Sequence, residues 1–342
     1  MNTHEHYMQR CLHLAVQGLG SVAPNPMVGC VIVHNGKIIG EGFHEKYGSA
    51  HAEVNAIRSV TDEKLLAQST LYVNLEPCSH YGKTPPCANL IVEKKIPRVV
   101  IGSYDPNPLV AGKGIKLLRE NGVEVMTEVL KPEADFLNRR FFTFHTQQRP
   151  YIILKWAQSA DGFIAPADGK PYWLTNEVSK KLVHQWRSEE QAIMIGTNTA
   201  RTDNPQLTVR LWHGNNPLRV VIDRTLSLPA SLHIFNAEAA TLVFNEKGNA
   251  VKGNIEKVKI DFSANIEEQI LHELFKRNIL SIMIEGGTQF LNSFINRLLW
   301  DEARVFTVTK KLNEGVKAPQ VSGTILNEMD VERDKLIVCV SL

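Results

Sequence analysis

The residues of this sequence that could do chemistry together are a histidine, a glutamate and two cysteines near its N-terminal end. His51 and Glu53 stand two positions apart in the segment HAE, and Cys78 and Cys87 stand nine positions apart in EPCSHYGKTPPC. One imidazole and two thiolates supply three protein ligands, the number typical of catalytic zinc sites, which keep a fourth position for water. A structural zinc site would normally supply four. The pattern therefore predicts a zinc ion held by the histidine and both cysteines.

A zinc ion at this place would give the neighbouring carboxylate a task. Zinc lowers the pKa of a coordinated water to ~7, which makes hydroxide available at neutral pH. Displacing an amine from an amidine-like carbon also requires protons to move from the water to the ring nitrogen and the leaving nitrogen. Glu53 suits that role. A His-x-Glu segment followed by Pro-Cys-x-x-Cys is typical of zinc nucleobase deaminases, but here eight residues separate the cysteines instead of two.

Other interpretations of the same residues stay open at this point. Cys78 and Cys87 could form a disulfide, although five cysteines spread over the chain do not resemble a secreted disulfide framework. A metal could also serve only to fold the loop of a non-catalytic binding module. Asn25, Asp105 and Asn107 each precede a proline, a pattern that commonly starts turns without any ligand.

Short patterns predict the elements that must position these residues. The segment CVIVHNGKIIGEGF has an Asn-Gly pair between two β-rich runs and predicts a hairpin. His51 then opens a helix that runs to about Val60. Cys78 follows the strand TLYVNL, and Cys87 precedes another helix. Together with an amphipathic first helix, a strand RVVIG, a helix in GKGIKLLRENG and a strand in VEVMTEVL, these elements predict a mixed sheet covered by helices.

The length of 342 residues indicates two domains, because an ordinary domain has about 150. The segment PEADFLNRRFFTFHTQQ predicts one helix, which Arg149-Pro150 ends before the strand YIILKWA. We therefore predict domains at residues 1–148 and 149–342. In the second, the strands AIMIG, LRVVID, TLVFN, KVKID, LSIMIEGG and EARVFTVTK alternate with helices near 176–190, 266–278 and 288–299, again an α/β pattern.

Composition excludes several classes of partner. The 38 basic and 36 acidic residues nearly cancel, so no strong field would draw the protein to nucleic acid or to an anionic membrane. The sequence has neither a secretion signal at its start nor a run of ~18 apolar residues later, and we expect a cytoplasmic protein without membrane partners. A homo-oligomer is compatible with these numbers.

A second region that could bind an anion lies in IMIEGGTQFLNSF, where a strand ends in Glu285 and the pair Gly286-Gly287 precedes a helix. Glycines at such a turn let backbone amides approach a phosphate, and the helix N-terminus adds positive potential. The bare pattern also suits a turn that serves only geometry. It lacks the Gly-x-Gly-x-x-Gly of a dinucleotide-binding Rossmann unit.

Taken together, NPMVGCVIV, HAE and EPCSHYGKTPPC resemble the deaminase half of the bifunctional deaminase-reductase family of riboflavin biosynthesis, in which the loop between the cysteine ligands is long. KWAQSADGFIA, WLTNE, GTNTARTDNPQLTVR and IEGG resemble its reductase half. The resemblance covers essentially the whole chain. It implies an α/β protein with an N-terminal cytidine-deaminase-like three-layer α/β/α domain and a C-terminal dihydrofolate-reductase-like α/β domain.

The resemblance also implies roles for individual residues. In the deaminase half it implies that zinc is bound by His51, Cys78 and Cys87, that Glu53 moves protons, and that the substrate contacts Asn25, His44, His80, Lys83, Asp105 and Asn107. In the reductase half it implies that NADPH contacts Ala157, Trp173, Thr199 and Asp203, with its phosphates at Gly287, Thr288, Gln289, Phe290, Leu291, Asn292 and Ser293. There the substrate would contact Lys155, Arg187, Leu207, Arg210 and Glu285. Paired arginines suit a phosphate, because guanidinium presents its donors in a fixed fork.

The activity implied by the resemblance has two steps on phosphorylated pyrimidine substrates. The first releases ammonia from a phosphoribosylated diaminopyrimidinone, and the second reduces its ribosyl group to ribityl with NADPH. The alternative is a zinc deaminase of free or tRNA nucleobases with an inactive reductase-like domain. Two positions depart from the family: Ala160 stands where leucine is usual, and Pro171 stands where a hydroxyl residue is frequent.

Overall fold

The computed structural model describes residues 3–79, 86–108, 110–167 and 172–341. Within it the chain divides into two compact units, Met1–Gln148 and Arg149–Leu342. Each is an α/β unit built around its own sheet, which confirms the predicted fold class. Among the described residues, none of the helices combines the length and the apolar character that a bilayer crossing requires.

The first unit contains a five-stranded mixed sheet in the order β2-β1-β3-β4-β5. Its strands are β1 Gly29–His34, β2 Lys37–Phe43, β3 Thr70–Leu75, β4 Arg98–Ser103 and β5 Glu124–Met126. β1 is antiparallel to both neighbours, whereas β3, β4 and β5 are parallel. The predicted hairpin is present, and Asn35 and Gly36 both have positive φ, as the tight turn requires.

Helices cover both faces of this sheet because its strands are apolar on both sides. The helices are α1 Thr3–Ala15, α2 Ala52–Arg58, α3 Cys87–Glu93, α4 Lys113–Glu120, α5 Lys131–Leu137 and α6 Arg139–Gln147. Val31 and Val33 of β1 pack with α1, whereas Cys30 and Ile32 pack with α2, α3 and α4. This alternation follows the two-residue period of a strand and produces the three-layer arrangement.

The single helix predicted after residue 131 is wrong, because α5 ends at Leu137 and α6 begins at Arg139. Between them the backbone of Asn138 leaves helical geometry, with φ −96° and ψ 20°. Its side chain accepts a hydrogen bond from the Met27 N–H and donates one to the Met27 carbonyl. The buried amide thus serves a distant loop, a role that helical periodicity does not reveal. The strand predicted over VEVMTEVL is likewise shortened to β5.

The second unit contains a ten-stranded sheet in the order β11-β12-β10-β9-β8-β13-β6-β14-β17-β16 and a separate pair of β7 and β15. Its strands are β6 Tyr151–Gln158, β7 Phe163–Ala165, β8 Ala192–Ile195, β9 Leu218–Ile222, β10 Thr241–Asn245, β11 Ala250–Lys252, β12 Ile255–Lys259, β13 Ser281–Glu285, β14 Glu302–Val308, β15 Val316–Lys317, β16 Gly323–Val331 and β17 Asp334–Ser341. The seven strands from β12 to β14 run parallel, and antiparallel strands complete both edges.

The helices of this unit are α7 Glu177–Glu189, α8 Thr197–Asp203, α9 Ile266–Lys276 and α10 Thr288–Ile295. Ile153 of β6 packs with residues of α7 and α8, whereas Ile152 and Leu154 pack with α9 and α10. Helix α10 ends four residues before the predicted limit, and Leu298 beyond it has left-handed φ. Because the central strands are parallel, the carboxyl ends of β6, β8 and β13 meet at one edge, where ligands of such sheets bind.

Candidate active sites

Three potential metal ligands converge in the first unit. The ligand atoms of His51, Cys78 and Cys87 all lie within 4.8 Å of one another. His51 Nδ1 is 3.6 Å from Cys78 Sγ and 3.3 Å from Cys87 Sγ. A tetrahedral zinc ion with bonds of about 2.0–2.3 Å needs ligand atoms roughly 3.5 Å apart. The donor set and its spacing therefore fit one zinc ion.

Each ligand occupies the end of an element. His51 is the residue before the first turn of α2, Cys87 is the first residue of α3, and Cys78 follows β3 after a short extended segment. The Ala88 N–H donates to the Cys78 carbonyl, which holds the cysteine segment against the start of α3. Unpaired N–H groups at helix starts favour the anionic form of nearby thiols.

Both cysteines are free thiols, so the disulfide interpretation is wrong. A hydrogen bond from Cys87, together with His51, lowers the pKa of Cys78 to about 4. The same hydrogen bond, joined by burial, raises the pKa of Cys87. The Cys87 backbone N–H also donates to Cys78 Sγ at 3.4 Å. The site thus favours a thiolate at Cys78, a charge suited to a cation.

Glu53 lies beside these ligands in the first turn of α2 and is only 3 % exposed. Burial raises its pKa, and the Cys78 thiolate raises it further. A carboxyl group with a raised pKa exchanges protons near neutral pH more readily than an ordinary glutamate. The structure therefore places an acid-base group next to the ligand cluster.

Two predicted substrate residues also lie near the ligand cluster: His44 contacts His51, and Asn25 contacts His44. The His44 ring stacks edge-on against His51, with 5.4 Å between centroids. Its Nδ1 is 3.0 Å from the Ala50 carbonyl, and its Nε2 is 3.1 Å from the Asn25 amide nitrogen. Burial lowers the pKa of His44, in agreement with a neutral ring that donates through Nδ1 and accepts through Nε2.

Asp105 is buried after β4, and its carboxylate accepts a hydrogen bond from the Asn107 N–H at 2.8 Å. Burial raises the pKa of Asp105 to about 7, and the negative charges of Glu76 and Cys78 act in the same direction. The predicted substrate contacts at Asp105 and Asn107 stay predictions. His80 and Lys83 lie outside the residues that the structure describes.

Sequence reasoning missed Glu76, which stands two residues before a predicted zinc ligand. Its buried carboxylate accepts hydrogen bonds from the backbone N–H groups of four residues: Asp105, Gly112, Gly114 and Ile115. The only signal in the sequence was its place directly before Pro77-Cys78.

In the second unit, a carboxylate and two cations meet at the edge where β6 and β13 end. Glu285 is paired in register with Lys155, and Arg187 of α7 lies 3.2 Å from Glu285 Oε2. Burial would raise the pKa of Glu285, but the charges of Lys155 and Arg187 lower it. Burial lowers the pKa of Lys155. The Nε atom of Arg187 is buried without a hydrogen-bond partner among the described residues.

Arg210 joins this group through His184, which sequence reasoning missed. The Arg210 backbone N–H donates to His184 Nδ1 at 3.0 Å, and both Arg187 and Arg210 hydrogen-bond Thr208. Burial and the two arginine charges lower the pKa of His184 to about 4, so it is a neutral acceptor. Leu207 has left-handed φ and is almost fully buried, so its substrate contact stays a prediction.

The predicted cofactor residues are only partly assembled. The Gly287 N–H donates to Thr199 Oγ1 at 3.3 Å, and an added Cβ at Gly196 would touch Phe290. This brings the start of α10 against the start of α8. The Leu291 side chain belongs to the core. The side chains of Trp173, which is 76 % exposed, and Asp203 face solvent. Cofactor contacts stay predictions for both, and also for Ala157, Thr288, Gln289, Asn292 and Ser293.

Two family models match the chain, one in each unit. The cytidine and deoxycytidylate deaminase zinc-binding region matches residues 1–103, and the RibD C-terminal domain matches residues 150–324. The first match contains all three converging ligands and Glu53, and the second contains the charged cluster of Lys155, Arg187, Arg210 and Glu285.

Full-length relatives agree with both matches. The riboflavin biosynthesis protein RibD of Aquifex aeolicus is 42 % identical over 91 % of this chain and 88 % of its own length. That of Actinobacillus pleuropneumoniae is 37 % identical over 95 % of this chain and 88 % of its own length.

Solved structures extend the similarity to three dimensions. A Thermotoga maritima diaminohydroxyphosphoribosylaminopyrimidine deaminase and 5-amino-6-(5-phosphoribosylamino)uracil reductase superposes with a TM-score of 0.91 at 38 % identity, over 99 % of both chains. Acinetobacter baumannii RibD superposes with a TM-score of 0.90 at 33 % identity, also over 99 % of both chains. With its cluster of potential metal ligands, its second α/β unit and these relatives, the chain belongs to the RibD family of riboflavin biosynthesis proteins.

Proposed function

We propose that this chain is a bifunctional deaminase and reductase of riboflavin biosynthesis. Residues 1–148 would remove an amino group from diaminohydroxyphosphoribosylaminopyrimidine, and residues 149–342 would reduce the ribosyl group of 5-amino-6-(5-phosphoribosylamino)uracil. The Thermotoga maritima relative carries both activities in its name and matches both units. The observation that carries the proposal is the convergence of His51, Cys78 and Cys87 beside the buried Glu53.

The first unit would hold one zinc ion through His51, Cys78 and Cys87. When bound, zinc supplies a Lewis acid that lowers the pKa of a coordinated water to ~7. Three protein ligands would leave one position of the ion open for that water. The low pKa of Cys78 favours the anionic ligand that the cation requires.

Glu53 would carry the protons of the deamination. Hydrolysis of the amidine carbon adds the elements of water and releases ammonia, so protons must reach both a ring nitrogen and the leaving nitrogen. Glu53 is buried next to the ligands and has a raised pKa, which lets it accept a proton and return it. Asn25, His44, Asp105 and Asn107 would orient the pyrimidine, together with His80 and Lys83.

The second unit would bind the sugar phosphate with charges that β6, β13 and α7 bring together. Arg187 and Arg210 would hold the phosphate, because guanidinium donors match its oxygens. Lys155, Leu207 and Glu285 would contact the sugar. In the open-chain form C1′ is joined to the uracil amino nitrogen as an imine, and reduction adds a hydride to C1′ and a proton to that nitrogen. Orientation of the sugar carbon is therefore the main task of these residues.

NADPH would be the reductant, and it supplies the hydride when bound. The start of α10, within the segment from Gly287 to Ser293, suits its phosphates, since helix N-termini favour anions. Gly287 has no neighbouring atoms where a Cβ would stand, so a ligand can approach its backbone closely. Ala157, Trp173, Thr199 and Asp203 would line the rest of this site.

A coupled assay tests the proposal. The purified chain receives the diaminopyrimidine phosphate with and without NADPH, while ammonia and the absorbance of NADPH are followed together. We expect ammonia in both arms and NADPH oxidation only after deamination. Ammonia release without NADPH oxidation would contradict the reductase assignment. Release of ammonia from cytidine or tRNA, but not from the pyrimidine phosphate, would instead support the nucleobase deaminase alternative.

A further inference from the structure

Glu76 is a buried charged residue of the deaminase unit to which the proposed function gives no role. It follows β3 directly, its side chain is almost fully buried, and its backbone N–H donates to the Ser103 carbonyl at the end of β4. A buried carboxylate is costly unless hydrogen bonds compensate it. Here every compensating bond comes from the backbone of one later segment.

The two oxygens of Glu76 hold different parts of that segment. Oε2 accepts from the N–H groups of Asp105, at 3.3 Å, and Gly112, at 3.0 Å. It therefore joins both ends of the loop that contains Asp105 and Asn107. Oε1 accepts from Gly114, at 3.0 Å, and Ile115, at 3.2 Å, in the first turn of α4. These first-turn amides have no acceptor within their own helix.

The packing around Glu76 leaves this segment little freedom. Gly112 has φ of +76°, a left-handed conformation that favours glycine. A Cβ added at Gly114 would stand 2.0 Å from the Pro77 carbonyl oxygen, so the helix start is in direct contact with the segment that carries Cys78. Inside the loop, Asp105 accepts from the Asn107 N–H, and the Asn107 carbonyl accepts from Val110.

We propose that Glu76 is a positioning residue for the deaminase, which fixes the Asp105–Asn107 loop and the start of α4 relative to the metal-ligand segment. The proposal rests on the proposed function, because that function assigns Asp105 and Asn107 to the substrate. Glu76 itself would touch neither substrate nor metal. Its loss should therefore weaken substrate binding more than it weakens the metal site.

The test uses the full chain with Glu76→Gln. The amide replaces one acceptor oxygen by a donor, so two of the four backbone N–H groups would face another donor. We expect the KM of the deaminase to rise about tenfold, as for the loss of buried charge-assisted hydrogen bonds, with a smaller fall in kcat. Zinc content should stay at that of the wild type. Reductase turnover of directly supplied 5-amino-6-(5-phosphoribosylamino)uracil should not change.

Glu120→Gln is the matched control, since Glu120 is an exposed residue of α4, the helix whose first turn Glu76 binds. It should leave both activities unchanged. An unchanged KM in Glu76→Gln would overturn the proposal. So would a parallel loss of zinc and of both activities, which would indicate a role in folding alone.

Hydrogen exchange of the wild-type chain tests the same contacts without a variant. The amides of Gly112, Gly114 and Ile115 should exchange slowly, although they stand at a helix start, and fast exchange would overturn the proposal. This measurement does not depend on the substrate. If the wild type released no ammonia from the pyrimidine phosphate, the proposed function would fail, while slow exchange would still show that Glu76 holds the start of α4. Ammonia release with fast exchange would contradict the role of Glu76 alone.

Discussion

The two candidate sites solve the problem of buried charge in opposite ways. In the first unit, a thiolate and a carboxyl group gather around a point where a cation fits, and the ligand atoms lie within 4.8 Å of one another. In the second, the single negative charge of Glu285 offsets only part of the positive charge of Lys155 and Arg187, so a net positive charge remains. The first site therefore needs an added cation, whereas the second keeps an excess of positive charge that suits an anionic ligand.

Removal of zinc should have the largest effect, because it should stop the deaminase and leave the reductase unchanged. Dialysis against a chelator should abolish ammonia release, because the three ligands no longer have the ion that activates water. Reductase turnover should stay within error of the untreated protein. Metal analysis by mass spectrometry gives the zinc content, and added zinc should restore ammonia release. Full deaminase activity in zinc-free protein would contradict the metal assignment.

Glu53→Gln should have the next largest effect. The amide keeps the shape of the side chain but cannot move protons, so kcat for ammonia release should fall by about 10²–10⁴-fold. Zinc content and reductase turnover should be those of the wild type. Glu124→Gln, an exposed change in the same unit, serves as control. Unchanged ammonia release from Glu53→Gln would refute the catalytic assignment.

Glu285→Gln tests the charged cluster of the second unit. Burial lowers the pKa of Lys155 and the charge of Glu285 raises it, so loss of that charge should lower the pKa further. Lys155 would then lose its proton at lower pH, and the alkaline limb of the reductase pH profile should move to lower pH. Reductase kcat/KM at neutral pH should fall about tenfold.

Glu285→Gln should leave the deaminase activity unchanged. The control variant Glu314→Gln changes an exposed residue of the second unit and should affect neither activity. A pH profile that keeps its alkaline limb would show that the charge of Lys155 does not depend on its neighbour.

His184 should give the smallest effect. His184→Leu removes the acceptor for the Arg210 N–H, and the KM of the reductase should rise about three- to tenfold. His184→Asn keeps an acceptor near the same place and should be closer to the wild type. Equal KM values for both variants would show that the hydrogen bond does not position Arg210.

Acid stability offers a second measurement on His184, which faces Arg187, Arg210 and Glu285. Its pKa is about 4 in the folded chain against 6.5 ordinarily, so the unfolded state binds the proton first. Stability should therefore be lost as the pH falls from about 6.5 to about 4. The melting temperature of His184→Leu should fall less over this window than that of the wild type.

The parts of the molecule that were predictable from sequence are those encoded in short segments. The hairpin around Asn35-Gly36 and the strand Thr70–Leu75 follow from local chemistry, and both are present. The cluster of His51, Cys78 and Cys87 was predictable for the same reason, since both cysteines stand in one short segment and the histidine has Glu53 beside it. The α/β class of both units follows from the alternation of such segments.

What sequence could not show are contacts made through the backbone of distant residues. Glu76 binds N–H groups 29 to 39 positions later, and His184 binds one 26 positions later. A backbone N–H is the same at every residue, so no residue type marks the partner. The outer strand β16 was missed for a different reason: it is exposed along most of its length and has no apolar alternation.

The pairing of His44 has a consequence for the neighbouring cluster. Both nitrogens of its ring are engaged, one by the Ala50 carbonyl and the other by the Asn25 amide. An imidazole without a spare lone pair cannot coordinate an ion, even though this ring lies against that of His51. The hydrogen bond to Asn25 thus prevents His44 from becoming a fourth protein ligand. Four protein ligands would leave no position for water.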